Sequence, residues 1–280
     1  MSRPAGPWAR PRLAYSYRRR TTGAKGCSVA ISTWSAPSSD GPPIARGVAP
    51  NPAQALRDEA LAADVADRLS HDLRTQDLAL DVAVSGRVAH VAGVVPSGED
   101  RERVRAAVRA VNGILAAWDL VAVEGDGALA VADIGCGTTK QVPWAIGVDA
   151  VAQPGVDVVA DVDDGLPFAT ASLDHVFAVH VLEHVGDMVA AMAELHRVLR
   201  PSGLLHVLCP HWRHVNTPAD PTHVRGIDVL TFRWFCQPAR RDVPPWRPRS
   251  VMSDADTVYA DLQPLGGGGA QRQDLARWFA

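Results

Sequence analysis

The stretch Leu129-Ala-Val-Ala-Asp-Ile-Gly-Cys-Gly137 runs a short apolar strand straight into two glycines. Glycine at such a strand end lets backbone N–H groups approach a ligand with no Cβ in the way. Similar strands follow. Ile146-Gly-Val-Asp149 and Val156-Asp-Val-Val-Ala-Asp161 each end in an acid, and Leu173-Asp-His-Val-Phe-Ala-Val179 reads as a fourth. Met188–Leu199 places Val189, Met192, Leu195 and Leu199 on one helical face; Pro201-Ser-Gly203 stops it, and Leu204–Leu208 is a fifth strand. Strands alternating with connections predict an α/β fold with a doubly wound, mostly parallel sheet. Ligands of such sheets bind beyond the carboxyl ends of the strands. Gly135, Gly137, Asp149, Asp161 and His180 all fall at that edge.

A carboxylate ending the second strand can accept from both hydroxyls of a ribose, one to each oxygen. That suits NAD and S-adenosylmethionine alike. A dinucleotide site, however, needs Gly-x-Gly-x-x-Gly opening a full helix that receives a pyrophosphate. Gly135-Cys-Gly-Thr-Thr-Lys140 lacks the third glycine, and Pro143 interrupts the short run to Gly147. The site is poor for a pyrophosphate and acceptable for a ligand without one.

Asp133-Ile-Gly-Cys-Gly137, Asp149, Asp161 with Leu166-Pro-Phe168, His180-Val-Leu-Glu-His184 and Leu199-Arg-Pro-Ser-Gly203 together resemble class I S-adenosylmethionine-dependent methyltransferases of the type 11 kind. Asp220-Pro-Thr-His-Val-Arg225 adds to the likeness, and Ser202 departs from it where the family commonly has Gly. The resemblance covers about 129–235 and implies a Rossmann-like sheet. It further implies S-adenosylmethionine as cofactor and methyl transfer to a small-molecule acceptor, with sugars and sugar nucleotides the first class it suggests. It assigns Gly135 and Gly137 to the cofactor loop, Asp149 to the ribose and Asp161 to the adenine. Asp133 sits inside the strand end, where it holds the glycine loop and reaches the methionine amino group. His180 borders both the cofactor and the transferable methyl group.

Histidines crowd the later chain. His180, then His223, then His211 are the candidates for a base or an acceptor-orienting group, because they lie in the loops where an acceptor would sit. His175, His196 and His206 fall inside regular elements and read as structural. Cys136, flanked by glycines, reads as a small filler. Cys209, His211, His214 and His223 match no standard zinc spacing, so no metal site is expected.

Upstream, residues 53–124 predict an α-β-β-α-β unit. Leu56, Leu61, Val65 and Leu69 mark its first helix. The hairpin is Leu78–Val84 with Val88–Val95; Ser97 caps a helix bearing Val104, Ala107, Val108 and Val111, and Ile114–Val123 is the third strand. The hairpin Val82–Val95, Asp100-Arg101 and Val111-Asn-Gly-Ile114 resemble the BON domain, which implies binding of a protein, small ligand or membrane rather than catalysis. Gly125-Asp-Gly127 reads as a short hinge between domains that pack near each other while folding separately, with His90 on an exposed strand face. Residues 1–52 are net +7 and rich in Pro, Ser and Arg, which predicts a disordered tail, or alternatively a transit peptide. Thr257–Leu262 reads as a strand, Met252–Leu262 as the stretch that supplies the sheet's remaining edge strand, and Gly266–Gly269 as a linker (within 263–280) to a loosely attached final helix.

Composition narrows the function. The 280 residues are 47% hydrophobic, enough for a sizeable core, yet no apolar run approaches the ~18–20 residues of a membrane span. The net charge of −3 argues against a basic nucleic-acid surface, and the unit 53–126, net −5, argues against lipid attraction. Four widely separated cysteines exclude a disulfide scaffold and fit a reducing, cytoplasmic setting. The expectation is therefore an enzyme; its rival is a cofactor-binding protein that recruits partners through the BON-like unit.

Overall fold

The computed structural model describes residues 52–237 and 243–279; the stretch 1–51, where a tail or transit peptide is expected, lies outside the described residues. The described chain begins with α1 (Pro52–His71), β1 (Leu80–Ser85), β2 (Val88–Val95), α2 (Gly98–Arg109) and β3 (Ala116–Val123). The hairpin turns on Gly86 and Arg87, both at positive φ (56° and 67°), the conformation of a two-residue turn matched to strand twist. Asp58 of α1 is buried and accepts from both turn N–H groups, at 2.8 and 3.1 Å, which locks the helix to the hairpin. Ser97 caps α2 by accepting from Asp100 N, and α2 then carries the chain across to β3, which pairs parallel with β2.

A larger sheet follows, from β4 (Val131–Ile134), β5 (Ile146–Asp149), β6 (Val158–Val159) and β7 (Leu173–Val179), then α3 (Met188–Val198), β8 (Leu199–Pro210), the single turn α4 (Asn216–Ala219) and α5 (Val229–Cys236). It closes with β9 (Trp246–Ser253), β10 (Thr257–Pro264) and α6 (Arg272–Phe279). Strand order is β6-β5-β4-β7-β8-β10-β9, with β10 antiparallel to both neighbours and the rest parallel. This is the expected doubly wound, Rossmann-like α/β sheet. Two of its strands differ from expectation. The third is short, because Asp157 turns aside to hold Gly147 N and Lys140. The edge strand is β9, masked in sequence by the interior Pro248.

The sheet's two faces are covered differently. Ala132, Ile134, Val148, Val176, Ala178, Leu205, Val207, Val258 and Ala260 point to a face packed by α3, α5 and α6. The alternate residues Val131, Phe177 and Tyr259 point the other way, and there Val88, Ala116, Trp118 and Leu120 of the three-stranded sheet meet them. Trp118 stands edge-on to Phe177 with ring centroids 5.1 Å apart. Helices α1 and α2 lie on the far side of the small sheet, over Val84, Ala89, Val91, Ala117 and Val121. The layers thus run helix, sheet, sheet, helix. Val142 and Ala145, from the helix-free loop after β4, join the same middle core.

The unit before Gly125 packs against the larger sheet: one hydrophobic cluster draws on both sheets, and Arg109 of α2 pairs with Asp261 of β10 at 2.7 Å. Two expectations are corrected. His90 is buried, because its strand face is the one the larger sheet covers; burial and the nearby His206 push its pKa down to about 4. The final helix is anchored: Phe279 is buried, Leu275 and Trp278 pack on the core, and Ala270 N donates to Cys236 O.

Candidate active site

Every strand-end feature named from sequence converges at the carboxyl edge of β4, β5, β6 and β7. Gly135, at φ 65°, leaves β4 where a Cβ would stand 2.5 Å from Val181, so only glycine fits. Gly137, at φ 55°, turns its N–H toward Asp149 Oδ2 at 3.0 Å; the other Asp149 oxygen accepts from Val151 N at 2.9 Å. Each oxygen keeps a lone pair for a further donor. Asp161 folds into a turn, accepting from Asp163 N at 3.0 Å. Asp133 is buried and accepts from Gln141 N at 2.5 Å, which ties the glycine loop back onto β4. Burial pushes its pKa up to about 7, against the pull of the Gln141 N–H and the Lys140 ammonium. Cys136 is buried between the glycines, and burial next to Asp133 and Asp149 drives its thiol up to about 11, so it serves as filler.

Gly135, Asp149, Ala150, Asp161, His180 and His184 line one cavity of about 220 Å³. Sequence reading missed its apolar walls, Val162, Val181 and Val185, and it missed the part played by Asp163. That carboxylate accepts from Gly186 N (2.8 Å) and Asp187 N (3.2 Å), fastening the loop that carries His184.

His180 leaves β7 at φ 56°, a left-handed conformation uncommon for a residue with a Cβ and concentrated at functional sites. Its Nδ1 lies 3.3 Å from Oε1 of Glu183, a buried carboxyl. Burial alone would raise Glu183; the hydrogen bond and charge of His180 hold it below the usual range. His180 also lines a second, larger cavity of about 620 Å³. The small sheet and α1 give it Arg57, Arg87, His90 and Trp118, and the larger sheet and its loops give it Gln141, Asp254 and Tyr259. His223 and His211 line neither cavity. His223 sits edge-on to His184 at 4.7 Å, and His211 Nε2 lies 3.5 Å from Asp228 Oδ2.

Two further histidines do structural work. His206 Nδ1 lies 2.8 Å from Asp261 Oδ1 and its Nε2 3.0 Å from His175 Nδ1, all three side chains being buried. Burial pushes His175 well down, toward its neutral form.

The donor set suits an adenosyl group. It offers a carboxylate with both oxygens available, a second acid beyond an apolar slot, and glycine N–H groups with no pyrophosphate cradle. Residues 132–207 match the methyltransferase domain family. The matched region is about a quarter of the chain and does not reach residues 52–124. S-adenosylmethionine is the cofactor of this domain.

The chain also resembles solved structures. One belongs to the complex between the Haloferax volcanii Trm112 methyltransferase activator and a putative methyltransferase: 16% identity, 48% of this chain, 81% of that one, TM-score 0.38. The YcgJ protein of Bacillus subtilis is 17% identical over 49% of this chain and 89% of its own, TM-score 0.35. An S-adenosylmethionine-dependent methyltransferase from Mesorhizobium loti is 16% identical over 49% and 91%, TM-score 0.35. No curated protein sequence matches the chain. Among the described residues no helix is long and apolar enough to cross a membrane.

Proposed function

We propose that this methyltransferase domain moves a methyl group from S-adenosylmethionine to an oxygen or nitrogen of a small polar acceptor, with sugars and sugar nucleotides as the first class to test. The observation that carries the reading is His180, the residue common to the cofactor cavity and the larger polar cavity. The acceptor lies in the larger cavity and meets the methyl group past that histidine.

When bound, the cofactor supplies a methyl group already activated on a sulfonium, so alignment is most of the protein's task. Asp149 holds the ribose hydroxyls, Asp161 the adenine amino group, and Asp133 the methionine ammonium while it steadies the glycine loop. His180 takes the proton that the acceptor O–H or N–H gives up, and Glu183 beside Nδ1 stabilises the imidazolium so formed. His223 and His211 orient the acceptor loop rather than touch the methyl group. The BON-like reading of 53–124 belongs to the same proposal. A protein or small-ligand partner would use the apolar cavity of about 340 Å³ around Val94, Ala122 and Pro143. We place the protein in the cytoplasm, where buried Cys136, Cys209 and Cys236 stay free thiols.

The test is calorimetry with S-adenosylhomocysteine, followed by single-turnover transfer from methyl-labelled cofactor into a small-molecule cell extract. Binding lost in Asp149→Ala, with a labelled small product whose formation falls at least tenfold in His180→Ala, is the expected result. Tight NAD binding by the wild type, without S-adenosylhomocysteine binding, would sink the cofactor assignment. Binding without label in any product would favour a non-catalytic, partner-recruiting role.

A further inference from the structure

Glu183, His184 and His223 bring three metal-type ligand atoms within 4.8 Å of one another. They come from two loops, the one after β7 and the one before α5. Three observations set them apart from a chance cluster. Glu183 is 1% exposed, its Oε2 meets no nitrogen or oxygen donor among the described residues, and the Cys209 thiol is a weak partner of the carboxyl. Leaving a buried carboxylate oxygen with so weak a partner is costly, and a cation beside it removes that cost. Next, His223 Nδ1 lies 3.0 Å from Thr217 O. A carbonyl only accepts, so Nδ1 carries the proton and Nε2 keeps its lone pair, the arrangement that backbone carbonyls impose on metal-bound histidines. Finally, His184 Nδ1 is held by Thr222, through Oγ1 at 3.1 Å and O at 3.3 Å, so Nε2 is the ring nitrogen left for an ion. Asp220 Oδ2, 3.7 Å from His223 Nε2, adds a second carboxylate to the rim.

We propose that Glu183, His184 and His223 bind one divalent ion of the zinc class. Two imidazoles and a carboxylate are nitrogen and oxygen donors suited to a borderline cation, and three protein ligands leave a position open. Ligands about 2.1 Å from a tetrahedral ion stand ~3.4 Å apart. His184 is exposed, and its ring closes that difference together with the Thr222 segment that holds it. The ion fastens the 216–224 loop to the loop that carries His180. It also touches the opposite oxygen of the carboxylate that His180 leans on, so it steadies the orientation of that ring. The site goes beyond the methyl-transfer reading and does not depend on it.

The experiment uses full-length, tag-free protein stripped with a chelator. Zinc is titrated against a chromophoric competitor and counted after gel filtration, with circular dichroism reporting an intact fold in each variant. One zinc per chain is expected, weakened at least thirtyfold in His184→Ala and in His223→Ala and unchanged in His214→Ala. Cobalt in the wild type needs no variant. Visible bands of nitrogen and oxygen ligation support the site, and a thiolate-to-cobalt band in the near ultraviolet overturns it in favour of Cys209. Absence of stoichiometric zinc, retention in both histidine variants, equal loss in His214→Ala, or binding of magnesium or manganese alone also overturns it.

Discussion

The two faces of the seven-stranded sheet are built on different chemistry. The face under α3, α5 and α6 is aliphatic and needs only burial to form. The face under the three-stranded sheet buries His175, His206, Asp261 and Asp133 among Phe177, Tyr259 and Trp118. Each of those polar groups is tolerable because a specific partner meets it: Arg109 and His206 for Asp261, Gln141 N for Asp133. The comparison teaches that one face is a generic apolar core, while the other is a matched pair that only this N-terminal segment completes.

The widest break in that comparison is deletion of residues 1–124. It strips the cover from Phe177 and Tyr259 and removes Arg109, so the fragment 125–280 is expected to be insoluble or unfolded. Circular dichroism and gel filtration check this; a folded, monomeric fragment that binds S-adenosylhomocysteine as tightly as the whole chain would return the segment to the status of an independent domain.

Smaller changes compare the faces directly. Trp118→Ala should cost ~3–5 kcal/mol, and Leu195→Ala on the helical face ~2–5 kcal/mol, in urea unfolding. Only the first should also lower methyl transfer at sub-saturating acceptor, because Trp118 walls the larger cavity. Arg109→Met leaves Asp261 buried with one partner fewer and should cost ~3 kcal/mol; a loss below about 1 kcal/mol would show the pair to be incidental. Burial alone would raise Asp261, but the His206 hydrogen bond and the Arg109 and Arg105 guanidiniums hold it down. A depressed carboxyl adds stability above its unfolded pKa and loses it as pH falls through the folded one, so the Arg109→Met deficit should shrink in acid.

The smallest effect concerns Asp133, raised to about 7. A raised carboxyl favours the fold while protonated, so the ligand-free chain should melt at lower temperature at pH 8 than at pH 6. If the methionine ammonium sits on the carboxylate, binding requires ionisation. S-adenosylhomocysteine affinity should then rise about tenfold between pH 6 and pH 8. Asp133→Asn should flatten that slope, and a slope unchanged in the variant would remove Asp133 from the cofactor.

Much of this was legible in sequence, for identifiable reasons. Gly135, Gly137, Asp149 and Asp161 stand in chain order along one sheet edge, and strand periodicity fixes which edge that is. The α-β-β-α-β order was equally readable from its turn and cap, Gly86 and Ser97. The sheet-on-sheet contact was hidden, because Val88, Ala116, Trp118 and Leu120 alternate as any half-buried strand does, and alternation does not name the partner. His90 went wrong for the same reason. The role of Glu183 was hidden too, since nothing local marks which of two adjacent polar residues turns inward.

The placement of the small sheet has a consequence for synthesis. Its inward face, with Trp118 and Leu120, leaves the ribosome once β3 is made, but its counterpart is incomplete until β10 emerges about 140 residues later. At ~5–20 residues per second, that is roughly 7–30 s during which an apolar strand surface has nothing to pack on. The nascent chain therefore has a built-in window of aggregation risk, and its yield in a cell should depend on translation speed and on chaperones that shield residues 80–123 until the second sheet arrives.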